Sequence, residues 1–196
     1  MLDDIYKKPI LFAIMAVLVI LVGTIATMVI PMMRPEMHPK LANLKPYSAL
    51  QLAGKDIYQR EGCVGCHTQT VRPLKTEVMR YGEYSKAGEF AYDRPFLWGA
   101  KRTGPDLARI GGKYADEWHE IHFESPQSMY AESNMPAYGW MKKNLLDPES
   151  IESHMKANDF PYTKEELVAL KTKTELDALI AYMQVIGTAV TGQAKQ

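Results

Sequence analysis

The sequence predicts a mainly α-helical protein: one N-terminal transmembrane helix, then a single helical domain with long loop insertions. Three features predict it. Residues 10–30 are an uncharged apolar run, and apolar residues recur at helical spacing near residues 48–61 and 173–187. The only two cysteines of the 196-residue chain stand three apart, in Cys63-Val64-Gly65-Cys66-His67. Lys plus Arg balances Asp plus Glu at 23 each, so no charge surplus points to nucleic acid.

The chain begins with a short polar head, residues 1–9. The 21 apolar residues that follow rise about 1.5 Å each and span roughly 31 Å, the thickness of a bilayer's hydrocarbon core. A signal peptide would have a shorter apolar core and a small-residue cleavage site after it. Here Pro31-Met32-Met33-Arg34 follows, which reads as a retained anchor. Lys7 and Lys8 before the span favour a cytoplasmic N-terminus. Four prolines among residues 31–46 (Pro31, Pro35, Pro39 and Pro46) read as an extended linker. The domain then occupies residues 47–196. A first helix starts near Ser48, with Leu50, Leu52, Ala53, Ile57 and Tyr58 on roughly one side. A last amphipathic helix runs from Lys173 to Gly187, with Leu176, Leu179, Ile180, Met183 and Ile186 on its stripe.

C-x-x-C-H is the pattern that attaches a c-type haem. Two thiols at this spacing reach the two vinyl groups of one porphyrin edge, and the next residue, His67, brings an imidazole to the iron. A structural zinc site wants four ligands, and no second cysteine pair exists. A helix running into C-x-x-C-H is how small cytochromes c open, so the domain is expected to be class I-like.

The second axial ligand is sought among twelve methionines. Met135 stands apart in Ser133-Asn134-Met135-Pro136-Ala137-Tyr138-Gly139, a loop whose proline stiffens the backbone behind the sulfur. A thioether opposite histidine raises the reduction potential and favours electron transfer. Met129 and Met141 are the alternatives, and His119 or His122 would instead supply a second imidazole. In Arg102-Thr103-Gly104-Pro105-Asp106-Leu107 the Gly-Pro turn resembles the cytochrome c loop whose proline carbonyl accepts the haem histidine's N–H. Pro105 is thus expected behind His67.

Further motifs occur in order: Arg72-Pro73, Arg80-Tyr81-Gly82, Tyr92-Asp93-Arg94-Pro95-Phe96 with Trp98-Gly99, the Arg102–Leu107 turn, Trp118-His119 and Met135-Pro136. Together with Cys63–His67 they resemble the monohaem cytochrome c subunit (subunit II) of cbb3-type cytochrome c oxidases, over nearly the whole chain. The resemblance implies one covalent haem c on Cys63 and Cys66 with His67 and Met135 as axial ligands. It implies a haem domain in the periplasm, anchored in the inner membrane of a Gram-negative bacterium. There it would dock on a haem–copper catalytic subunit beside a dihaem cytochrome c subunit. The expected role is electron relay toward the haem b of that partner, with no catalytic site in this chain. The insertions at 68–101 and 141–172 would then form subunit contacts, and Arg102, Arg72 or Arg94 would pair with haem propionates. Two other functions carry a C-x-x-C-H motif. One is the monohaem subunit of another respiratory complex such as a nitric oxide reductase, which the Tyr92–Tyr114 run disfavours. The other is a gas sensor with an open iron site.

Overall fold

The computed structural model describes residues 7–37 and 39–192, so residues 1–6 of the polar head and 193–196 of the domain lie outside the described residues. The chain divides into two compact units, Met1–Pro39 and Lys40–Gln196.

In the first unit, helix α1 runs from Pro9 to Met33, 25 residues with a mean hydropathy of 2.8 over its most apolar stretch. Pro9 stands in its first turn, where a missing amide costs nothing. At about 1.5 Å per residue α1 is roughly 37 Å long, enough to cross a bilayer with some tilt. Its last part widens into a π turn over Ile25–Val29, where the Ile30 amide reaches back to the Ile25 carbonyl. The cause is Pro31: it has no N–H to donate, and its ring crowds the turn before it. The helix thus continues through Pro31 to Met33, into the stretch the prolines mark as linker.

The second unit is built on two helices, α2 (Ala49–Arg60) and α8 (Glu175–Val185). Each starts with a reciprocal cap. The Ser48 hydroxyl accepts from the Gln51 amide at 3.4 Å while the Gln51 side chain accepts from the Ser48 amide at 3.0 Å. Thr174 and Asp177 do the same for α8. Such caps satisfy amides that a helix start leaves open. Leu52, Ala53, Ile57 and Tyr58 of α2 bury against Leu176, Ala178, Leu179 and Tyr182 of α8. Gly54 marks the crossing, because a Cβ there would overlap the Ala178 backbone and come within 2.7 Å of the Tyr182 Cβ. Backbone cannot yield to a side chain, so Gly54→Val should destabilise the unit by about 3 kcal/mol or more. Thermal unfolding followed by circular dichroism checks this.

The remaining helices are α3 (Lys75–Tyr81), α4 (Asp116–Glu124), α5 (Pro126–Met129), α6 (Pro148–Ala157), α7 (Lys164–Leu170) and α9 (Thr188–Thr191). No strand forms among the described residues; a single bridge pairs Leu145 with Thr174. The 141–172 insertion carries α6 and α7, whose Ile151, Met155, Leu167 and Leu170 complete the core. The 68–101 insertion is tied down by buried charge. Lys55 of α2 pairs with Asp93 at 2.5 Å, and the Tyr47 hydroxyl donates to the same carboxylate at 2.8 Å. Arg109 clasps Glu89 through two bonds of 2.7 and 3.0 Å. Removing either partner would strand a buried charge, so these pairs fix where the insertion lies.

Candidate functional site

Helix α2 ends at Arg60, and Gly62, at φ +69°, reverses the chain in the left-handed region that glycine enters without strain. The next residues form one tight turn, Cys63–Gly65. The Cys66 and His67 amides both donate to the Cys63 carbonyl, at 3.1 and 2.9 Å. Two cysteine side chains and an imidazole are thereby set on a single turn, Cys63 half-buried and Cys66 exposed. Burial, assisted by Glu61, pushes the Cys63 thiol up to about 11. It is therefore a protonated thiol at neutral pH, unlike the low-pKa thiolate of a redox C-x-x-C.

His67 Nδ1 lies 2.8 Å from the Pro105 carbonyl oxygen. A carbonyl only accepts, so Nδ1 carries the proton and Nε2 keeps the lone pair for a metal. The turn bearing Pro105 is strapped to the histidine strand: Gly104 N–H donates to the Cys66 carbonyl at 3.0 Å and Leu107 N–H to the Thr68 carbonyl at 2.8 Å. Gly104 lies so close to the imidazole that a Cβ would clash with the His67 ring at its Cε1 edge. Gly99 is packed likewise, a Cβ there meeting the Val64 carbonyl at 2.8 Å. From α2, the Tyr58 hydroxyl donates to the His67 carbonyl at 3.0 Å; from α8, Tyr182 donates to Gln69 at 3.1 Å.

Met135 is half-buried against the core, in a loop held by Gln127, whose amide donates to the carbonyls of Ser133 (3.0 Å) and Met135 (2.7 Å). The Met135 amide in turn donates to the Ser133 hydroxyl at 3.2 Å. The other candidates are placed differently. Met141 is fully buried in the core, and Met129 is exposed at the end of α5. His119 is buried edge-on against Trp118. His122 stacks on Trp118 at 4.8 Å, and Trp118 on Tyr114 at 4.0 Å. Burial lowers the pKa of His122.

Arg102, expected at a propionate, has its guanidinium on protein groups: Glu77 at 2.9 and 2.8 Å, Asp106 at 3.1 Å and the Thr70 carbonyl at 2.9 Å. Arg72 also bonds Glu77, while Arg94 is exposed. These bonds, Arg102 foremost, hold the Glu77 carboxyl down at about 2 against an ordinary 4.5. The contribution of this lowered group is present above that ordinary value and is lost as the pH falls toward 2. Glu77, which lies 25 residues from its partner Arg102, is a functional neighbour that no motif marked. Tyr58 stood out only as part of an apolar stripe.

Two cysteines on one turn, an imidazole whose Nε2 is not used in the Pro105 bond and a half-buried thioether are the donor types that a covalent His–Met haem needs. Val64, Leu107, Tyr114 and Tyr138, like Cys63 and Met135, are partly buried against the hydrophobic core. The residues present fit that group. A family model described as cytochrome C oxidase, mono-heme subunit/FixO matches residues 3–174. No curated protein matches the chain.

Proposed function

Because the chain belongs to the family of mono-haem subunits of cytochrome c oxidase, we propose that it relays electrons within a cbb3-type oxidase. The donor is the dihaem cytochrome c subunit or a soluble cytochrome, and the acceptor is the haem b of the haem–copper catalytic subunit. Bound here, a haem c supplies one-electron redox chemistry. The chain's residues would attach, orient and shield it: Cys63 and Cys66 would tether it, and His67 and Met135 would supply the ligands to its iron. Pro105 fixes the histidine tautomer, and oxygen reduction is the task of the partner subunit. Residues 1–9 are cytoplasmic, residues 10–30 anchor the chain in the bacterial inner membrane, residues 31–46 are the linker, and residues 47–196 work in the periplasm. The observation that carries this reading is the His67–Pro105 bond of 2.8 Å, made beside the turn that carries both cysteines.

Isolation from membranes in mild detergent tests the reading. The chain is expected to co-purify with a subunit holding b-type haem and copper and with a second, dihaem c-type subunit. Co-purification with b-type haem but no copper would assign it to a different respiratory complex.

A further inference from the structure

We propose that Arg102 and Asp106 are positioning residues that aim the Pro105 carbonyl at His67 and thereby set the reduction potential of the site. The inference rests on the reading of His67 as an axial ligand, and it goes beyond that reading by naming what holds the ligand's hydrogen bond in place.

Asp106 follows Pro105 directly, so the Pro105 carbonyl belongs to the peptide that ends in the Asp106 nitrogen. That carbonyl keeps its direction only if the Asp106 backbone cannot rotate. The Asp106 carboxylate is fully buried and completely engaged. Its Oδ1 accepts the Ala108 amide at 2.8 Å. Its Oδ2 accepts the Thr68 hydroxyl, the Thr70 amide at 3.2 Å and the Arg102 guanidinium at 3.1 and 3.3 Å. Thr68 is the residue after His67. One carboxylate therefore joins the two strands that carry the two ends of the His67–Pro105 bond. Arg102 locks the carboxylate from the far side, and is itself held by a two-pronged bond to Glu77 of α3 and by the Tyr81 ring, 5.3 Å away.

The consequence follows from the histidine. A firm Nδ1–H···O bond makes the imidazole a better electron donor and favours ferric iron; a loosened bond does the reverse. A buried ion pair that served only to hold the fold would change the melting temperature and leave the potential alone.

Arg102→Lys separates these roles, because it keeps the charge but cannot fork onto Glu77, Asp106 and the Thr70 carbonyl together. Full-length protein in detergent is titrated for its midpoint potential, and the His67 ring N–H is followed by proton NMR in the reduced, diamagnetic state. The expected result is a higher potential and faster solvent exchange of that proton. Asp106→Asn should shift both in the same direction. An unchanged potential and unchanged exchange in Arg102→Lys, with only the melting temperature lowered, would overturn the proposal. So would a potential that rises in Asp106→Asn alone, since that variant also removes a negative charge. Should Arg102→Lys not fold, Asp106→Asn decides through the exchange rate, which an added charge effect does not mimic. Wild-type protein without covalent haem would instead defeat the haem reading itself, a distinct outcome.

Discussion

Met135→Leu is expected to remove the weak far-red charge-transfer band of Met-ligated ferric haem and to open the ferrous iron to carbon monoxide. Leucine matches methionine closely in volume, so packing of the half-buried side chain changes little and costs less than about 1.5 kcal/mol. The loop itself should persist, because Gln127 holds it through backbone carbonyls that the substitution leaves in place. What disappears is a thioether on iron. The potential should fall, since a thioether favours ferrous iron over water or nitrogen ligands. Haem should remain attached through Cys63 and Cys66. Met129→Leu and Met141→Leu should keep the band, the first because its side chain is exposed and the second because it is fully buried in the core. A band lost in either of those two, with Met135→Leu spectrally silent, would move the ligand.

Gly104→Val should abolish a correctly ligated haem. A Cβ at this position overlaps the Cε1 edge of the His67 imidazole, and valine adds two further methyl groups. The turn cannot back away, because Gly104 and Leu107 are strapped by their amides to Cys66 and Thr68. His67 must therefore swing out and lose both its Pro105 bond and its line to the iron. Gly104→Ala should show the same defect in milder form. The absorbance spectra of both variants, with and without carbon monoxide, check this: an opened or five-coordinate iron is expected. A normal His–Met spectrum in Gly104→Val would show that the turn is free to move.

How much of this was legible in the sequence differs by element. Cys63, Cys66 and His67 stood out in the sequence because the proposed covalent haem chemistry demands a fixed short spacing. Pro105 was legible only through them; a Gly-Pro turn alone says nothing. Helices α2 and α8 were visible from apolar stripes long enough to show a period. Helices α6 and α7 were not: each buries just two side chains of the core, Ile151 with Met155 and Leu167 with Leu170, among charged neighbours. The brace of Glu77, Arg102 and Asp106 left no trace at all. Its charges come from α3 and a turn 25 residues on, and long-range pairing of common charged residues has no signature in a single sequence. Arg102 was read as a propionate partner; its bonds to the carboxylates of Glu77 and Asp106 came only with the fold.

Acid–acetone extraction of the purified full-length protein, followed by haem typing, tests the central claim most directly. One haem per chain should resist extraction and stay with the denatured polypeptide, with the spectrum of a porphyrin bound through two thioether links. Haem that washes out, or one zinc per chain in its place, would contradict the account.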